Sequence, residues 1–173
     1  MKYIPKLFIE TTVFNFYFEG KQGQKQKDAI SLFEEISKGR YEAHTSQTVI
    51  DELKDASGEK SENMKALSGK YIKKMLVPSP EARRMAGIYI TKGIIPAKYI
   101  EDALHIATAT VNSLDFMVSF NQGHIVKTKT MIGIGFANLR EGYRQIGLST
   151  PTEVLEYDSK GARNQGRGTE NNG

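Results

Sequence analysis

Four oxygen-bearing side chains, Glu10, Glu52, Asp102 and Asn121, are of the types that hold a hard divalent cation. They lie far apart in sequence, so only a fold can gather them. There is no cysteine, which removes thiolate ligands and disulfides from the chemistry. An oxygen-only set suits Mg2+ or Mn2+, which accept carboxylates directly and keep waters that a substrate phosphate can replace. The reaction implied is phosphodiester hydrolysis, in which the cation acidifies water, orients it for in-line attack and neutralises the charge that builds on phosphorus and the leaving oxygen. Clustered carboxylates repel one another, and a divalent ion makes their joint ionisation tolerable.

The stretch from Pro96 to His124 is the main positioning element. From Tyr99 onward, Ile100, Ala103, Leu104, Ala107, Val111 and Leu114 recur at helical spacing, and Asp102 stands nearly opposite that stripe. Its face continues as Ile106 and Ala109, too apolar for a solvated surface, so the carboxylate is expected in a cleft. Phe116 to Phe120 then read as a strand buried on both faces, ending where Asn121 begins the polar residues. Leu7 to Ile9 form a second such strand, ending at Glu10. In open parallel sheets the ligand crevice lies beyond the carboxyl ends of the strands, which brings Glu10, Asn121 and the helix-borne Asp102 towards one place.

The remaining elements follow from patterning. A polar loop over residues 19–28 leads to a helix from near Asp28 that stops around Gly39; Tyr41 to Thr45 form the next strand. Ser46 is a helix N-cap, and Val49, Ile50 and Leu53 are the buried side of a helix carrying Glu52. On spacing alone Glu52 reads as a solvated helix acid, and only the company of the other acids draws it towards the crevice. Tyr71, Ile72 and Met75 suggest a helix whose opposite side holds Lys70, Lys73 and Lys74, read as a solvated charge run with phosphate contact as the alternative. Glu81 to Lys92 form a helix closed by Gly93, a glycine-weakened helix reaches Tyr143, and Leu148 to Thr150 are a last short strand before a closing turn of helix opened by Pro151. The aromatic residues Phe14, Phe16, Tyr17 and Phe18 read as core rather than as a base-stacking platform.

Short strands alternating with helices make this an α/β chain. At 173 residues it accommodates one domain, residues 1–157, followed by a polar tail, residues 158–173, expected to be disordered. The net charge of +4 is a weak lean towards polyanionic partners. Neither a signal peptide nor a membrane span is recognisable, so a soluble, cytoplasmic protein is expected.

The chain resembles the PIN-domain family, in particular the ribonuclease toxins of VapC-like toxin-antitoxin pairs. The resemblance covers about residues 5–157 and rests on FIETTVFNFYF, TSQTVIDEL, IEDALHIATA and LDFMVSFNQGHI, in that order and spacing. It implies a three-layer α/β/α sandwich with a central, mostly parallel sheet, and an endoribonuclease using Mg2+ or Mn2+ held by Glu10, Glu52 and Asp102. Thr12 takes the place of the hydroxyl that helps hold the metal-bound water. Two positions depart from the family pattern: Glu10 is one methylene longer than the usual aspartate, and Asn121 offers an uncharged carbonyl where a fourth acid is usual. The missing charge weakens metal affinity, above all for a second ion.

His105 lies one helical turn after Asp102, in reach of a metal ligand or phosphate, and His124 stands in the loop where it could protonate a leaving oxygen. Lys70, Lys73, Lys74, Arg140 and Arg144 are candidates for RNA-backbone contacts. The resemblance further implies a small antitoxin that places a basic side chain against the acids, and a homodimer. The competing expectation is a non-catalytic PIN-like domain that binds RNA or a protein, with Glu10 and Asn121 as signs of decay. A dinucleotide-binding domain is set aside, because FIETTVF has no glycine-rich turn to cradle a pyrophosphate.

Overall fold

The computed structural model describes residues 3–21, 23–54, 58–121 and 127–157. Its centre is β1 (Lys6–Ile9), in which Leu7, Phe8 and Ile9 are all fully buried. Successive strand residues point to opposite faces, so burial of all three means that both faces are covered. β1 pairs in parallel with β2 (Glu42–Ser46) on one side and β4 (Phe116–Val118) on the other, with Leu7 opposite both Ala43 and Phe116. β3 (Ile72–Leu76) lies outside β2, and β5 (Gly147–Ser149) outside β4, giving one parallel sheet of order β3-β2-β1-β4-β5. The chain builds to one side of β1, then crosses to the other. In parallel sheets such a reversal is where a ligand crevice is expected, here beyond the carboxyl ends of β1 and β4.

Helices α1 (Thr11–Tyr17), α2 (Gln24–Ser37), α3 (Gln47–Lys54), α4 (Gly58–Tyr71), α5 (Pro80–Thr91), α6 (Ile100–Val111) and α7 (Thr128–Arg140) make the crossovers and flanking layers. The result is a PIN-like α/β/α sandwich. A 3-10 turn at Ala97–Tyr99 leads into α6, and residues 151–157 form the closing helix. The aromatic cluster belongs to the core as expected: Phe14 is fully buried, its ring 5.7 Å from that of Phe33, and Phe16, Tyr17 and Phe18 pack partly buried around it. Ser46 accepts from the Val49 N–H at 3.2 Å, as an N-cap for α3.

Several elements differ from the sequence reading. Lys70 lies in the last turn of α4, whereas Lys73 and Lys74 stand on the edge strand β3, so the three do not form one helical face. The three-residue spacing of Ile72 and Met75 suits a helix, but pairing with β2, which sets Leu76 beside Ser46, decides for a strand. Lysines on an edge strand also oppose further strand pairing. α2 starts at Gln24, earlier than Asp28, because the polar residues 24–27 continue its solvent side. β4 ends at Val118, two residues sooner than expected. α6 is buried from Ala103 through Thr110, more than a single stripe, because it is enclosed between the sheet and other helices. The predicted tail, residues 158–173, lies outside the described residues.

Candidate functional site

The crevice at the β1/β4 reversal is built around Glu10. This residue follows β1 and is the N-cap of α1, and it is only 5% exposed. Its Oε2 accepts three hydrogen bonds: from the Thr12 N–H at 3.0 Å, the Thr12 hydroxyl at 2.6 Å and the Ser119 hydroxyl at 2.8 Å. Donors from both strand ends therefore converge on one carboxylate oxygen, which satisfies a buried charge that would otherwise be costly. The same hydroxyls tie the β4 end down: Phe120 N–H donates to Thr12 Oγ1 at 2.9 Å, and Asn121 N–H to Ser119 Oγ at 2.9 Å.

A second carboxylate adjoins this knot. Glu52, on α3, accepts through Oε2 from the Thr11 hydroxyl and through Oε1 from His105 Nε2 at 3.2 Å. Burial pushes the Glu52 carboxyl up; the hydrogen bonds from His105 and Thr11, with the attraction of the imidazole, outweigh it, and the net shift is downward. His105 is itself buried, its ring centroid 5.6 Å from that of Phe8 on β1. Asp102 is half-buried in the first turn of α6, one turn before His105. Glu10 and the Asn121 backbone are thus joined through Thr12 and Ser119, while Glu52 is held by Thr11 and by His105, one helical turn from Asp102.

Two of these connecting residues, Thr11 and Ser119, are absent from the sequence-derived set. The signal for Ser119 is in the run FMVSF: a serine inside a fully buried stretch must find a hydrogen-bond partner. Thr11 carries no comparable signal, since its partner is on another helix.

The basic candidates are not brought here. Arg144 donates to the Ser113 carbonyl at 2.8 Å and pairs with Asp115 at 3.5 Å, on the amino side of β4, the opposite end of the sheet from Ser119. Lys73 pairs with Glu42, which opens β2, and the Lys70 ammonium lies 5.0 Å over the Tyr71 ring. Lys74 and Arg140 are exposed on β3 and at the end of α7. His124 lies outside the described residues.

Among the described residues no group of three or more His, Asp and Glu side chains stands close enough to hold a metal ion in a protein cage. The donor set is oxygen-rich, and magnesium characteristically keeps several waters while taking one or two carboxylates. The residues therefore fit a hydrated hard cation held through one or two carboxylates, not a closed multi-ligand site.

No family model and no curated protein matches the chain. Among solved structures it is similar to a chain of the crystal structure of VapBC2 from Rickettsia felis bound to a DNA fragment from their promoter, with 14% identity, a TM-score of 0.52, and coverage of 84% of this chain and 98% of that one. At this identity the likeness is one of fold, and it agrees with the PIN-like sandwich built up above.

Proposed function

We propose that this protein is a metal-dependent endoribonuclease, the toxin of a toxin-antitoxin pair, hydrolysing RNA phosphodiester bonds at the β1/β4 crevice. The observation that carries this reading is the pair of linked carboxylates, Glu10 and Glu52, joined through neighbouring threonines at the topological reversal of a PIN-like sheet. One or two of the carboxylates Glu10, Glu52 and Asp102 would hold a hydrated Mg2+ or Mn2+; when bound, such an ion supplies charge neutralisation on the phosphodiester and acidification of water. Thr12 and Ser119 hold Glu10 in one orientation, and Thr11 and His105 hold Glu52 ionised at neutral pH. Asn121 leaves the site one charge short of four acids, which favours a single ion. Support for a protein partner comes from the VapBC2 complex, and the reading includes a small antitoxin and a homodimer.

The second reading, an RNA- or protein-binding domain that cuts nothing, is favoured by the lack of a three-carboxylate cluster among the described residues. The experiment that separates them is incubation of the purified protein with structured and unstructured RNAs in manganese, magnesium or chelator, comparing the parent with Asp102→Asn. Metal-dependent cutting that disappears in Asp102→Asn supports the nuclease. A folded parent that neither cuts nor binds manganese overturns it in favour of the binding domain.

A further inference from the structure

The largest unexplained feature outside the crevice is the outer face of α7. Ile132, Phe136 and Leu139 are 55%, 73% and 56% exposed. At ~100° per residue these positions fall within roughly 60° of helix circumference, so they form one apolar stripe. On one side the stripe borders a groove of about 360 Å³ between α7 and the residues entering β5, lined by Met131, Gly135, Gln145 and Ile146. On the other flank the same arithmetic places Lys129 near one end and Arg140 near the other. Among the described residues neither cation is paired with an acid, and the nearby Glu141 is already engaged by Arg84 at 2.7 Å.

Gly135 supplies a separate observation. Glycine is a weaker helix former than alanine, so a mid-helix glycine calls for a packing reason. Gly133 has one: a Cβ there would come within 2.9 Å of the Ile94 side chain. Gly135 has none, since a Cβ would meet nothing nearer than the Gln145 side chain at 3.5 Å. What its missing side chain does is keep the floor of the groove open.

We propose that the α7 face is a docking surface for a partner's amphipathic helical segment, with apolar side chains spaced to sit on Ile132, Phe136 and Leu139 and acidic side chains on the flank that meets Lys129 and Arg140. Charge complementarity selects this occupant. Two copies of this chain packed antiparallel through α7 would set Lys129 of one beside Arg140 of the other, and the polar residues 158–173 offer almost nothing to place on an apolar stripe. The inference is independent of nuclease activity.

The test uses the full chain and two labelled synthetic helical peptides, each with leucines at i, i+4 and i+7, one with a glutamate flank and one with a lysine flank. Fluorescence anisotropy should show the acidic peptide binding at least about tenfold more tightly than the basic one. That preference should shrink at high salt and reverse in the double variant Lys129→Glu, Arg140→Glu. Phe136→Ser, at an exposed position, should abolish binding with the circular dichroism melt unchanged. Equal binding of both peptides, or none, overturns the proposal. So does a dimer in sedimentation that Phe136→Ser dissociates, which would assign the face to a second copy.

Discussion

The hydroxyl of Ser119 donates to the buried carboxylate of Glu10 at 2.8 Å, across the gap between the ends of β4 and β1. It is one of three donors on the same oxygen, and Glu10 has almost no solvent to replace a lost one. Ser119→Ala should therefore lower the unfolding free energy by about 1–3 kcal/mol, measured by urea denaturation. Unchanged stability would show that Thr12 alone is enough to hold the carboxylate.

Acid should loosen the protein at a second, surface network. Glu81 accepts from Arg84 and Tyr143, and the Arg84 hydrogen bonds above all draw its carboxyl down from 4.5 to about 2. A carboxyl with a lowered folded pKa binds fewer protons folded than unfolded between those values, so stability rises with pH across that interval. The contribution is complete above 4.5 and lost as pH falls through 2. Glu52, also lowered, adds in the same direction. In Arg84→Met the slope of unfolding midpoint against pH should be shallower over this window, the variant lying below the parent above pH 4.5 and converging with it towards pH 2. An unaltered slope would remove Glu81 as a source of acid sensitivity.

Three helices are fastened by one buried polar cluster. Tyr89 on α5 donates to Asn138 Oδ1 on α7 and lies 3.3 Å from the Thr110 hydroxyl on α6; Asn138 Nδ2 in turn donates to Thr110 at 3.2 Å. Burial raises the Tyr89 phenol to about 12. Tyr89→Phe removes a donor and leaves the Asn138 carbonyl buried without it, so a loss of about 1–3 kcal/mol is expected in chemical denaturation. The double variant with Asn138→Leu should lose less than the sum of the two single variants, because they share one interaction.

Apolar periodicity and strand-ending acids were enough, from sequence alone, to place Glu10 after a buried strand, Asp102 on a largely buried helix and Asn121 just past another strand. That works because burial on both faces of a parallel strand demands an unbroken apolar run, and the first polar residue marks where the run reaches the crevice. The motif resemblance likewise anticipated the PIN-like sandwich. Local pattern could not assign Lys73 and Lys74, since a three-residue apolar spacing suits a helix and only pairing with β2 made them an edge strand. It also could not reveal that Thr11 holds Glu52, or that Ser119 holds Glu10, because those partners are 41 and 109 residues apart and meet only when β2 and β4 pair on either side of β1. The sequence by itself determined the class of fold and which elements carry the candidate acids; the tertiary structure alone decided which neutral hydroxyls and which imidazole orient Glu10 and Glu52, since hydrogen-bond partners distant in sequence leave no periodic trace along a chain.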